Sequence, residues 1–209
     1  MRDGAKQKTP FAFFATEEIM NTIRTITRRR RSCRDFADKP LARERVDELI
    51  NDSVWVPSGS NNQPWRFVVI TDRERMKRYS DASKNGWLQK IHEYPHMEQY
   101  VPYMKDPYYN VFYNAPVLIV IYGDKDSYWH VYDCTMVAHN LHLLAEESGL
   151  GCCWIGFAHN IFSDPEIKLE LSVPQNFQLV APVILGYPAS KDTASENPNQ
   201  RKTFEITYL

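Results

Sequence analysis

Arg28-Arg29-Arg30-Arg31-Ser32-Cys33-Arg34-Asp35-Phe36 is the stretch on which the reading of this chain turns. It follows a helical-looking segment, Glu17–Arg29, and precedes a second helix that opens near Leu41. Six of its residues carry a guanidinium or a hydroxyl, gathered into one turn and the linker after it. Arginine offers forked donors that match phosphate oxygens and keeps its charge at every physiological pH. A serine hydroxyl beside it adds a further donor. Four arginines in a row also fit a solvated charged face or a localisation-like run. Ser32 and Arg34, placed where a helix ends, shift the reading toward a phosphate site.

Working outward, Pro57-Ser58-Gly59-Ser60-Asn61-Asn62-Gln63-Pro64-Trp65 reads as a second recognition loop. It lies between a helix over Ala42–Trp55, with Val46, Leu49, Ile50 and Val54 at helical spacing, and a buried strand, Phe67–Thr71. Asp72 caps a further helix that runs to about Ser83. From Asn85 to Ala115 the periodicity dissolves into aromatics and prolines, among them Trp87, Tyr100, Tyr109 and Tyr113. A long aromatic span without a period is more often a functional cover than a linker; its rings suit either a stacked aromatic ligand or a subunit contact.

Pro116–Tyr122 is the clearest strand and His130–Ser148 the clearest helix, apolar on more than one face and closed by Gly149. Gly151–Phe157 is a strand-like run breaking into a loop, Asp164–Leu171 a short capped helix, and Leu179–Tyr187 a strand ended by Pro188. The polar arm from Ala189 leads to Thr203–Tyr208, whose alternation is that of a strand completing a partner's sheet. Interleaved helices and strands make a layered α/β or α+β domain.

The 209 residues suffice for one domain with a full core. A net charge of -1 supplies no bulk attraction to nucleic acid, and no second basic patch extends a footprint. No apolar run approaches the ~20 residues needed to span a bilayer. The four cysteines, Cys33, Cys134, Cys152 and Cys153, contain no CxxC pair and read as free thiols in a reducing, cytoplasmic setting. Residues 1–16 read as an arm that packs on another subunit, 17–209 as a single domain. His92-Glu93-Tyr94-Pro95-His96 spells H-E-x-x-H, yet Pro95 breaks the helix that zinc ligation requires, so no metal site is expected. G-x-S-x-G, P-loop and GxGxxG motifs are missing from the sequence.

Arg30–Phe36 and Pro57–Phe67 together resemble the paired N-terminal signatures of the FMN-dependent nitroreductase family. Ala138-His139-Asn140-Leu141, Gly149-Leu150-Gly151, Cys153-Trp154-Ile155-Gly156, Leu185-Gly186-Tyr187-Pro188 and Asn199-Gln200-Arg201-Lys202 follow in the family's order. The resemblance covers roughly Glu17 to Leu209. It implies an α+β, three-layer α-β-α fold with a mixed, mainly antiparallel sheet, in a domain-swapped homodimer that exchanges C-terminal strands. It further implies FMN at the subunit interface, with NADH or NADPH as donor. By position, Arg30 and Ser32 would meet the phosphate and ribityl chain, joined by Arg201 and by the backbone of Arg31. Arg34 would lie near the pyrimidine edge, and Ile155 and Gly156 near the reactive part of the ring. Pro57, Ser58, Gly59 and Asn61 would come from the other subunit, and residues 85–115 would form the variable active-site cover. The implied activity is ping-pong reduction of a small nitroaromatic or quinone-type acceptor, with no side chain acting as catalyst. The alternatives are a specialised flavin enzyme (a reductive dehalogenase or a flavin-fragmenting enzyme) and a non-catalytic FMN storage or sensor protein.

Overall fold

The strand Val117–Asp124, β2, is buried on both faces, and its alternation sorts the core. Val117, Ile119 and Ile121 enter one apolar cluster, while Leu118, Val120 and Tyr122 enter the other. A strand this apolar needs cover on both sides. A computed structural model, describing residues 17–190 and 202–209, shows how the cover is supplied. The expected arm over 1–16 and the expected phosphate ligand Arg201 lie outside the described residues.

β2 lies in a four-stranded sheet with β1 (Trp65–Ile70), β3 (Gly151–Trp154) and β4 (Phe177–Gly186), in the order β1-β2-β4-β3. Every ladder is antiparallel, with Val68 opposite Val120, Val120 opposite Pro182, and Cys153 opposite Ile184. A bulge leaves Val180 unopposed between the Ile121–Ala181 and Tyr122–Leu179 pairs. The parallel contribution is an isolated bridge between Ser32 and Cys152.

On one face lie α1 (Glu17–Arg29), α2 (Arg43–Ser53) and α5 (His130–Glu147), whose Val46, Leu49, Val137 and Leu141 pack against the odd residues of β2. On the other lie α3 (Arg73–Lys90), α6 (His159–Phe162) and α7 (Pro165–Glu170), which bring Met76, Tyr79 and Phe162 against the even ones. The short α4 (Val101–Lys105) packs beside α3. This is the expected three-layer α-β-α arrangement.

Local chemistry sets the helix ends. Asp72 accepts the Arg75 N–H at 2.7 Å and Asp164 the Glu166 N–H at 2.8 Å, capping α3 and α7. Gly149 closes α5 at φ +68°, with its own N–H on Glu146 O (3.1 Å) and the Leu150 N–H on Ala145 O (2.8 Å), a Schellman closure.

One boundary differs from expectation. α3 continues to Lys90 rather than stopping near Ser83. Its last turns dock on a distant segment: Ser83 Oγ and Trp87 Nε1 both donate to Phe157 O, at 2.5 and 2.8 Å. Local periodicity carries no trace of that partner. Thr203–Tyr208, expected to complete a partner's sheet, lies within residues 202–209, which form no regular element within the single chain; as a strand it would draw its backbone bonds from a second copy's sheet edge. Among the described residues no helix is long and apolar enough to cross a membrane.

Candidate functional site

Arg30 follows the last residue of α1, its N–H still bonded to Ile26 O at 2.8 Å. The Arg31 guanidinium folds back on the carbonyls of Arg28, Arg29 and Arg30 at 2.7, 3.0 and 3.0 Å. It thereby caps the helix, answering the orphan carbonyls of the last turn. Its Nη1 is thus taken up by the protein. Beyond it the chain runs extended: Cys33 N–H bonds Cys152 O at 3.0 Å, Ala37 N–H bonds Tyr187 O at 2.9 Å, and Phe36 bridges Pro188. Extended residues alternate sides, so Cys33 enters the core while Ser32 and Arg34 on either side stay exposed. Gly151 lets Cys33 in: a Cβ there would stand 2.5 Å from Cys33 Sγ. The arginine segment is thus laced against β3 and the end of β4.

That lacing brings Arg34 to a cavity of ≈ 330 Å³ with Ile155 and Gly156, the residues where β3 turns outward. Cys153, Trp154 and Phe157 complete this wall. Opposite stand Trp87, Met97, Tyr100, Val111 and Tyr113, all from the 85–115 span. At least part of the cover therefore lines a pocket. Tyr113 is held at φ +53° and Asn114 at φ +55°, a conformation rare for residues with a side chain. The Tyr109 hydroxyl bonds that of Tyr113 at 3.2 Å.

The cover is bolted down by a lysine that sequence reasoning did not single out. Lys84, 5% exposed, donates to Asp106 O at 3.1 Å and Tyr109 O at 2.8 Å and pairs with Asp81 at 3.2 Å. Val111 N–H adds a bond to Ser80 Oγ at 3.0 Å.

Pro57, Ser58, Gly59 and Asn61 do not line this cavity. Their loop lies over the start of α5, where the Gly59 N–H meets both Asp133 carboxylate oxygens at 3.2 Å. Within one chain the sites therefore fall into two groups: Arg30 to Arg34 with Ile155 and Gly156, and the separate Pro57–Asn61 loop. His92 and His96 sit on different 3-10 turns, Ile91–Glu93 and Pro95–Tyr100, so H-E-x-x-H never forms one helical face. Burial pushes the thiols of Cys33, Cys152 and Cys153 up, and that of Cys134 to about 12, which leaves them protonated and poorly nucleophilic at neutral pH.

Against known proteins, a model described as the Nitroreductase family matches residues 27–187. The chain belongs to the Nitroreductase family. Among relatives of this nitroreductase-family chain is a putative NADH dehydrogenase/NAD(P)H nitroreductase of Archaeoglobus fulgidus, 28% identical over 82% of this chain and 86% of its own. An iodotyrosine deiodinase of Haliscomenobacter hydrossis is 23% identical over 77% of this chain and 76% of its own. The crystal structure of a nitroreductase with bound FMN from Bacteroides fragilis superposes with a TM-score of 0.74 at 24% identity, covering 93% of this chain and 100% of that one. That likeness establishes the nitroreductase fold.

Proposed function

We propose that this chain is an FMN-dependent oxidoreductase that takes reducing equivalents from NADH or NADPH and delivers them to a nitroaromatic or quinone-type acceptor, working as a homodimer. The observation that carries this is the ≈ 330 Å³ cavity joining Arg34 to Ile155 and Gly156 beneath a cover of aromatic side chains.

The residues fit the cofactor. A Cβ on Gly156 would meet nothing within 4 Å, so this wall leaves room for a flat ring to approach the backbone. Arg31 Nε is buried without a partner among the described residues, an orphan donor at the end of the arginine run. Arg30 and Ser32 suit phosphate and ribityl oxygens, with Arg201 from the tail as a third partner. Arg34 supplies a positive charge at the cavity wall, favouring added electron density on the ring. Bound FMN would supply the redox chemistry itself, accepting a hydride from the nicotinamide and passing electrons to whatever replaces it. The protein's part is to orient, to exclude water and to exchange one flat ligand for another. Trp87, Tyr100, Tyr113 and Phe157 offer the stacking faces.

The dimer reading rests on exposed apolar surface around α5. Trp55 is 88% and Tyr128 81% exposed, with Trp129, Val131 and Tyr132 beside them along the helix start. The tail's Phe204, Ile206 and Tyr208 are likewise exposed. A second copy covering these faces would bring its Pro57–Asn61 loop toward the first copy's arginines. A deiodinase reading has one argument for it, the kinship with iodotyrosine deiodinases. The cavity weighs against it, since Arg34 is the one ionised side chain in its described lining and an amino-acid zwitterion needs both signs.

The visible spectrum of the purified protein, before and after anaerobic NADH or NADPH, tests the proposal. A flavin band that bleaches with either donor is the expected result, and iodotyrosine should then fail to reoxidise it while a nitroaromatic succeeds. A preparation that stays colourless after FMN is added overturns the reading. A band that neither donor bleaches leaves a storage or sensor protein.

A further inference from the structure

Asp133 is a buried carboxylate that nothing in the proposed chemistry uses. It is 2% exposed and sits in the first turn of α5. Among the described residues no basic side chain pairs with it, and both its oxygens converge on one backbone donor, Gly59 N–H, at 3.2 Å each. An ionised group out of water is costly unless well bonded, and the positive end of α5 offsets part of that cost. Just before the same helix, Trp129 lies against the same residue, where a Cβ on Gly59 would collide with the indole Cδ1. Gly59 is therefore gripped twice, by an acceptor on its N–H and by a ring on its Cα.

The segment so gripped resists its own conformation. Ser60, Asn61 and Gln63 stand at φ +52°, +56° and +48°, three non-glycine residues in the left-handed region within four positions. Such residues persist where the surroundings over-determine them. The loop's own bonds are Asn61 N–H to Ser58 O and Asn62 N–H to Gly59 O, both at 3.0 Å, Gln63 N–H to Ser58 Oγ at 3.1 Å and Gln63 Nε2 to Asn61 Oδ1 at 2.9 Å. A long 3.5 Å contact leads out from Asn62 to Ser127, and among the bonds of Gly59 to Gln63 only Asp133 ties the loop to the body of the chain at closer range.

We infer that Asp133, backed by Trp129, is a positioning residue of the cofactor site: it clamps the Pro57–Gln63 loop in the one shape from which Ser58 and Asn61 meet FMN. This rests on the FMN reading above. Asp133 itself touches no cofactor. Its effect passes through Gly59 to the loop, and a role confined to capping α5 would leave the loop's grip on FMN unchanged.

The test pairs amide hydrogen exchange on the flavin-free protein with FMN titration of the full chain. Asp133→Ala should speed exchange at Gly59 to Gln63 by about tenfold or more, the loss expected for a hydrogen bond to a charged group, while β2 keeps its protection. FMN should bind about tenfold or more weakly in the same variant. Asp133→Asn keeps an oxygen that accepts the Gly59 N–H, so it should recover most of both effects. Should Asp133→Ala fail to fold, Asp133→Leu fills the volume without an acceptor and carries the same test. A loosened loop with unchanged FMN affinity overturns the inference, as does unchanged loop exchange. In both cases the unaltered protein still binds FMN, so the cofactor reading stands. If the unaltered protein takes up no FMN, the cofactor reading itself falls and takes the inference with it.

Discussion

Lys84 shows how much one side chain can decide about a pocket it does not line. Its ammonium holds the Asp106 and Tyr109 carbonyls and the Asp81 carboxylate from inside α3. Replacing it with methionine keeps the aliphatic stem and orphans two carbonyls, at a cost of about 1–3 kcal/mol. Because both carbonyls belong to the cover, the damage should be local. Lys84→Met should become sensitive to limited proteolysis within 101–110 and show a raised KM for the acceptor, with a smaller change in thermal midpoint. Equal losses across the whole molecule would refute the local reading. Neither Lys84 nor Asp133 was legible in the sequence, since both residue types are nearly always solvated and the groups that bury them come from elsewhere in the chain. Arg34, Ile155 and Gly156 were legible through the order of motifs. Trp87, Tyr100 and Tyr113 were legible as a composition, without a hint of which rings face inward.

At the scale of the element, Gly86 in α3 sets two effects against each other. Alanine is the better helix former by about 0.8–1 kcal/mol. Here, however, its Cβ would come 2.7 Å from Asn160 Nδ2. Asn160 cannot step aside cheaply: Nδ2 bonds Ser83 O at 3.0 Å, and Oδ1 accepts the Ile161 N–H at 2.8 Å. Losing one of these costs roughly 1–3 kcal/mol, so Gly86→Ala should destabilise by about 1 kcal/mol in denaturant unfolding, against the propensity scale. The same docking explains why the end of α3 escaped the sequence. The helices α2 and α5 and the strands β2 and β4 were read to within two residues or so, because apolar periodicity and end signals lie inside the element itself. The last turns of α3 are held by Phe157 and Asn160, some 70 positions on. The cover's 3-10 turns likewise have no local period to announce them.

For the molecule as a whole, stability should fall on mild acidification. His142 on α5 is buried, its Nδ1 2.8 Å from Ala138 O. Burial depresses its pKa, and the nearby charges of Arg30 and His139 act in the same direction, against the hydrogen bond to Ala138. With the folded value below the unfolded one, the unfolded chain binds more protons between the two, so stability is full above the unfolded value near 6.5 and declines as pH drops toward the folded one. Glu170, held down chiefly by its hydrogen bond from Tyr79, adds a loss at lower pH, as pH falls from the usual carboxylate value toward its depressed one. Urea midpoints measured from pH 7.5 downward should decline, and His142→Leu should flatten the upper part of that slope. An unchanged slope in the variant would assign it to other groups.

The cover joins the sheet scaffold through a handful of bonds, chiefly those of Lys84, Ser80 and Trp87, all three on one helix. None of the sheet ladders runs through it. If the chain reduces an acceptor as proposed, acceptor preference is in consequence the trait most open to evolutionary exchange: a different loop grafted between α3 and β2 inherits a finished scaffold and needs only to satisfy one lysine and one hydroxyl. Diversity among descendants of such a gene should accumulate in that insert, while the barrier to inventing a new substrate stays low.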